Sequence, residues 1–189
     1  VPDHYENLLK KTTGFMKIAI ERFGRFRYML MMDDDVYLRL DRLVEALDDR
    51  SPHLDVGGFY AGQMGRPIRP QRHPAQKNPV SRAHWPLDVL PRFALGSHYI
   101  LSRYCVGFIA QNKEWLRGVG TLEDVSVGLW MLTLQVHPVH VDNFMDIKLG
   151  CSNFAMSMAS LGPLGLRAVH DNLIADELFC NGSDNKAWQ

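Results

Sequence analysis

The segment Met29-Leu30-Met31-Met32-Asp33-Asp34-Asp35-Val36-Tyr37-Leu38 limits what this chain can fold into more than any other. From Phe26 to Met32 the side chains are mostly apolar or aromatic, the composition of a short strand buried on both faces. Three aspartates follow without a break. Carboxylates this close repel one another strongly unless a cation lies among them. Hard divalent ions such as Mg²⁺ and Mn²⁺ take oxygen ligands and commonly bridge a carboxylate to a diphosphate. Strand alternation sends Asp33 and Asp35 to one side and Asp34 to the other. In an open α/β sheet, ligands bind at the carboxyl ends of strands, where these acids fall. A solvated acidic turn capping the next helix is the competing reading, and the apolar run directly before the acids weakens it.

The rest of the chain supplies helices and further strands. Tyr5 to Phe23 repeats apolar residues (Leu8, Leu9, Phe15, Met16, Ala19, Ile20) near helical spacing, and Gly24 is a stop signal. Leu40 to Leu47 reads as a second helix and Phe59 to Gly62 as a strand. Between Gly65 and Pro91 stand Pro67, Pro70, Pro74, Pro79, Pro86 and Pro91, a density that no regular element survives. So long a loop in a compact domain is usually a binding loop or lid. Phe93 to Leu101 returns to strand composition, and Arg103 to Ala110 to helix. Thr121 is placed to cap a helix running from Val125 to Leu134. Val136 to Val141 reads as a strand and Leu166 to His170 as another. Strands alternating with helices predict an α/β fold with a mostly parallel central sheet.

With 189 residues, 46% of them hydrophobic, the chain suits one domain with a sizeable core, residues 1–189. Lys plus Arg and Asp plus Glu both number 21, so no basic excess points to nucleic acid or to an anionic membrane. There is no apolar run of about 18 residues to span a bilayer. Three cysteines without CxxC spacing exclude a zinc knuckle and leave one disulfide plus one thiol compatible with Cys105, Cys151 and Cys180. Asn181-Gly182-Ser183 is a glycosylation sequon, meaningful only in a secretory protein.

Two further places carry chemistry. Glu123 and Asp124 open a helix, where the helix dipole alone accounts for acids, and where a general base for an acceptor hydroxyl is the functional alternative. His170 is of the right type to complete a Mn²⁺ site made of carboxylates. A surface or core histidine is the plainer reading of it.

In order along the chain stand Asp3-His4-Tyr5-Glu6-Asn7-Leu8-Leu9-Lys10-Lys11-Thr12, the three aspartates, Arg39-Leu40-Asp41 and Tyr60-Ala61-Gly62. Pro91-Arg92-Phe93-Ala94-Leu95-Gly96, Tyr99-Ile100-Leu101-Ser102 and Glu123-Asp124-Val125-Ser126-Val127-Gly128-Leu129-Trp130 follow. This series resembles the β1,3-galactosyltransferase family of inverting glycosyltransferases with the GT-A fold. EDVSVGLW and Gly150-Cys151-Ser152-Asn153 look closest to the enzyme adding the second galactose of the proteoglycan linker, and plant members share the EDVS-x-G-x-W pattern.

The resemblance implies a GT-A nucleotide-sugar fold whose first strand lies upstream of residue 1, with any membrane anchor also upstream, and a catalytic domain in the Golgi lumen. It implies a UDP-sugar donor, a glycan or glycoprotein acceptor and Mn²⁺. Asp33 and Asp35 fall on the outer positions of the DxD motif, with Asp35 the direct metal ligand, and His170 falls near a late metal-binding histidine. Asp33, Asp34, Lys11 and Gly96 fall on the donor side, with Lys11 pairing with the diphosphate. Asp124 falls on the catalytic base, and Glu123 is placed toward the acceptor. Trp85, in the proline-rich loop, is of a type that stacks on an acceptor sugar ring, with core packing the plainer role for a tryptophan. Two alternatives accompany this reading: transfer of N-acetylglucosamine, or a non-catalytic sugar- or nucleotide-binding relative. The latter draws on a departure, because Ser97 and His98 stand where the family has glycines that admit close backbone approach. On that ground His98 is expected to narrow the site.

Overall fold

The computed structural model describes residues 4–49, 57–181 and 188. After a 3-10 turn at Tyr5–Asn7 comes helix α1 (Leu8–Arg22), which buries Thr12, Met16 and Ala19. Strand β1 (Tyr28–Met32), the two-residue β2 (Tyr37–Leu38), helix α2 (Leu40–Asp48) and strand β3 (Tyr60–Met64) follow. Beyond the proline-rich loop lie β4 (Ala94–Ser102), α3 (Arg103–Asn112), α4 (Glu123–Thr133) and β5 (Pro138–His140). The chain then makes β6 (Phe144–Asp146), β7 (Ser157–Ala159) and α5 (Pro163–Asp176).

Among the described residues there are two sheets, of order β1-β4-β3-β5 and β2-β7-β6. In the larger one, β1 and β3 both pair antiparallel with β4, and β3 with β5 is parallel. The expectation of a mostly parallel sheet is therefore corrected to a mixed α/β arrangement. The cause is the loop from Gly65 to Phe93, which turns the chain back without a helix. A parallel partner would have required a crossover, usually helical. Three smaller expectations are also corrected. β1 is outermost in its sheet and fully buries only Met29, although it packs on both faces, with Met29 and Met31 in one core and Tyr28 and Leu30 against the other. Leu166 to His170 is helical, inside α5. Finally, α4 is capped at Leu122 without a side-chain bond, so Thr121 is not its cap.

The two faces of the larger sheet define two cores. Met29, Tyr60, Tyr99 and Leu101 face Met16 of α1, Val106 and Ile109 of α3 and Trp130 of α4. Ala61 and Ile100, offset by one residue, face Leu43, Phe144 and Met156. His98 belongs by alternation to this second face. It is 1% exposed, its Nε2 lies 2.5 Å from Ser157 Oγ on β7, and its ring packs on Phe144 at 4.3 Å. It thus joins the two sheets instead of narrowing the site. Cys151 and Cys180 form a disulfide, and Cys105 is free and buried.

Burial lowers the His98 pKa to about 4. The unfolded imidazole, near 6.5, takes up its proton first, so stability is unaffected above that pH and falls as pH drops toward 4. The expected loss between pH 7 and pH 4 is on the order of 3 kcal/mol at about 1.36 kcal/mol per unit. Urea titrations at several pH values should show this slope in the wild type and a shallower one in His98→Gln.

Candidate active site

At the carboxyl end of β1, a cleft of about 500 Å³ opens between α1, β4 and the start of α4. Lys11, Asp33, Gly96, Glu123 and Asp124, all singled out from the sequence, line it together with Leu8, Thr12, Met31 and Tyr99. The sequence brings them together by simple means. Lys11 and Thr12 lie on the first turns of α1, Asp33 directly follows β1, and Gly96 and Tyr99 lie in β4.

Helix α4 is seated tightly. A Cβ on Gly128 would lie 2.6 Å from Phe93 Cβ and 2.7 Å from the Arg92 carbonyl oxygen, so only glycine allows this approach. The Ser126 hydroxyl donates to the Leu122 carbonyl and accepts from the Val119 amide, and Trp130 Nε1 donates to the Arg117 carbonyl at 2.9 Å. The glycine, serine and tryptophan of EDVSVGLW thus hold the helix that presents the two acids.

Glu123 is 6% exposed, accepts a 2.6 Å hydrogen bond from the Tyr99 hydroxyl, and is also bonded by Thr12. Burial raises its pKa to about 7. It lines the cleft with its carboxylate held by Tyr99 and Thr12. The Asp124 pKa is also raised, by burial, while hydrogen bonds from the backbone of Val125 and Gly96 act in the opposite sense. The Val125 amide donates to Asp124 Oδ1 at 2.8 Å. An ideal Cβ on Gly96 would stand 3.1 Å from Asp124 Oδ2, so the missing side chain leaves room for this carboxylate.

The strand ladder extends one residue past β1, with the Asp33 amide donating to the Ser97 carbonyl at 2.9 Å. Asp34 and Asp35 then form a turn, and the alternation expected of Asp33 and Asp35 does not apply. The Asp33 pKa is raised by burial first, then by Asp35, Asp34 and Asp124. These four carboxylates therefore share one field. Asp35 Oδ1 is buried without a hydrogen-bond partner, and the Asp35 carbonyl accepts from the Leu161 amide. Such an orphaned anionic oxygen fits a cation. Among the described residues, no three His, Cys, Asp or Glu side chains converge as a ready metal site.

His170 and Trp85 lie elsewhere. His170 Nδ1 is 2.8 Å from the Tyr37 hydroxyl, in a separate pocket with Arg39, Asp41 and Glu177. Trp85 donates from Nε1 to the Val89 carbonyl and packs against Val80, Leu90 and Phe93, within the loop's own core. Sequence reasoning missed the roles of Thr12 and Tyr99. Tyr99 was visible as a polar group beside the apolar run Ile100-Leu101, whereas Thr12, between Lys11 and Thr13, carried no such signal.

The sequence profile of the family described as Galactosyltransferase matches residues 1–142. The chain is 33% identical over 184 residues to beta-1,3-galactosyltransferase 6 of Mus musculus, covering 94% of this chain and 54% of that protein. It is 26% identical over 182 residues to hydroxyproline O-galactosyltransferase GALT2 of Arabidopsis thaliana, covering 94% and 26% respectively. Identity to UDP-GalNAc:beta-1,3-N-acetylgalactosaminyltransferase 2 of Mus musculus is 28% over 163 residues, covering 86% and 31%. The chain belongs to the galactosyltransferase family. It spans between about a quarter and about half the length of these relatives.

In the absence of added metal, Glu123 is expected to titrate near pH 7. Because the Tyr99 hydrogen bond lowers that value, Tyr99→Phe should raise it. Carbon-detected NMR of the side-chain carboxyls reads both.

Proposed function

We propose that this chain is the catalytic part of an inverting transferase that passes galactose from UDP-galactose to an acceptor sugar hydroxyl in β1,3 linkage. The observation that supports this reading most is the single cleft holding Lys11, Asp33, Gly96 and the half-buried Asp124. Asp124 takes the acceptor hydroxyl proton. Burial makes its carboxylate more basic, and the Val125 and Gly96 amides keep it ionised and oriented. The acceptor oxygen forms its bond to the anomeric carbon from the face opposite the diphosphate. The bond to the phosphate oxygen breaks, UDP leaves with the electron pair, and an α-linked donor becomes a β-glycoside. Glu123, bonded to Tyr99 and Thr12, positions the first turn of α4. Lys11 places an ammonium on the cleft wall for the diphosphate.

A divalent ion, taken here as Mn²⁺, would be held by Asp35 and Asp33 and would supply positive charge that stabilises the departing diphosphate. His170, paired with Tyr37, is not carried into this donor set. Removal of metal with excess EDTA should weaken UDP binding sharply, and Asp35→Asn should abolish the metal effect. UDP affinity unchanged by either treatment would refute the assignment.

A second donor, N-acetylgalactosamine, is raised by the likeness to the Mus musculus N-acetylgalactosaminyltransferase. Incubating the chain with a panel of UDP-sugars, with and without β-galactoside acceptors, separates the two by product. The proposed compartment is the Golgi lumen. The Cys151–Cys180 disulfide supports it, since such bonds persist where conditions are oxidising. Asn181 is exposed, and the rest of its sequon lies outside the described residues. Among the described residues no helix is long and apolar enough to cross a membrane.

The sharpest test is Asp124→Asn. An acid interacting only with the helix dipole is worth about 0.3–1 kcal/mol of stability and nothing in turnover. A positioned base is worth about 10²–10⁴-fold in rate. Transfer should fall at least about a hundredfold with UDP binding retained. Turnover near the wild-type rate would leave Asp124 as a helix-end acid only.

A further inference from the structure

The chain has no net charge, yet residues 65–93 hold Arg66, Arg69, Arg72, Lys77, Arg82 and Arg92 against Asp88 alone, six positive charges to one negative. Two of these are consumed within the loop. Arg72 donates to the carbonyls of Val80, Trp85 and Leu87, and Arg82 pairs with Asp88 at 2.8 Å. Two others, Arg66 and Arg92, line a pocket of about 410 Å³ with Pro67, Val89, Leu90 and Phe93. Neither has a hydrogen bond or ion pair among the described residues, and both are exposed.

The pocket's lining adjoins the elements that carry Asp124 and Gly96. The Arg92 carbonyl abuts Gly128, one helical turn after Asp124 on α4. An ideal Cβ on Gly65 would lie 3.3 Å from Leu95 Cδ2, and Leu95 directly precedes Gly96, the backbone partner of Asp124. The two ends of the loop are thus anchored on the residue before Gly96 and on α4 one turn after the proposed base. The loop itself is closed by hydrogen bonds from the Leu90 amide to the Ile68 carbonyl and from the Val80 amide to the Gln71 carbonyl.

We propose that this pocket binds an anionic group, a carboxylate or sulfate ester, on a sugar residue flanking the accepting one, so that the acceptor is an acidic glycan. Guanidinium groups bind such oxyanions through paired hydrogen bonds. Pro67, Val89 and Phe93 offer an apolar wall to a ring face. The volume suits one or two sugar residues, whereas a nucleic acid or membrane surface would need a broad basic face that a neutral chain lacks. This inference rests on the acceptor side of the proposed transferase.

Calorimetric titration of the intact chain with a β-galactoside oligosaccharide carrying one glucuronate, and with its neutral counterpart, tests it. The acidic ligand should bind at least about tenfold more tightly, an advantage that shrinks as salt rises from about 50 to about 300 mM. Arg66→Gln combined with Arg92→Gln should remove the advantage and leave UDP affinity unchanged, whereas Lys77→Gln should preserve it. Equal affinities for the two ligands, or an advantage that survives the double substitution, would overturn the proposal. So would equally strong competition by single-stranded DNA or by anionic vesicles. Transfer from UDP-galactose to the neutral acceptor is read separately. Its absence with the binding difference intact counts against the transferase reading, and the reverse result counts against the pocket alone.

Discussion

Two adjacent carboxylates at the start of α4 are held largely out of water, and much of the domain is arranged around that fact. A buried carboxylate is costly unless hydrogen bonds replace its solvent. Here Tyr99 and Thr12 serve Glu123, while the amides of Val125 and Gly96 serve Asp124. Those partners come from α1, β4 and α4, so the three elements must keep one mutual position for the pair to be tolerated. The tight contact at Gly128 and the bonds of Ser126 and Trp130 fix the helix to the chain before it. The two acids also differ in consequence. Glu123, bonded by a phenol and pushed to a pKa about 7, is a support that carries a proton part of the time. Asp124 faces backbone amides that favour its charged form.

The second constraint is the seam between the sheets. The turn of three aspartates leads directly into β2, which pairs with β7, and the Asp35 carbonyl is tied to the Leu161 amide just beyond β7. His98, neutral and buried, reaches Ser157 on that same strand. The acids at the end of β1 are thus fixed from both sheets, although they carry like charges that would otherwise drive the turn apart. A histidine in place of a glycine at position 98 serves this seam and leaves the cleft side to Tyr99 and Gly96.

The site was legible in the sequence to the extent that its residues sit in short, distinctive runs. DDD after an apolar run and EDVSVGLW each mark a chain segment with a definite chemical burden, and Asp33, Glu123 and Asp124 from them meet in one cleft with Lys11 and Gly96, which Asp34 and Asp35 do not line. Helix limits were also readable, since α1, α2 and α3 follow periodic apolar spacing. Strand direction was not, because it depends on what a loop does in space. A run of prolines says that no helix forms but not that the chain returns antiparallel. Leu166 to His170 misled because five residues do not separate strand from helix periodicity. His170 was read from residue type and from the resemblance, and Trp85 from its place in the loop; the hydrogen bonds they make to Tyr37 and to the Val89 carbonyl depend on the fold and could not be read from either.

The proline-rich loop shows how a segment without regular structure can still hold a fixed shape. Its prolines remove backbone donors and limit φ, so few ladders are available to it. What replaces them is Arg72, whose two terminal nitrogens donate to the carbonyls of Val80, Trp85 and Leu87. Three carbonyls from a stretch of eight residues converge on one planar guanidinium. A lysine there would bring a single nitrogen and could not span the same separation. Trp85, Val80, Leu90 and Phe93 then pack beneath as a small core that is shared with Val125 of α4. The loop is therefore coupled by packing to the helix that carries Asp124.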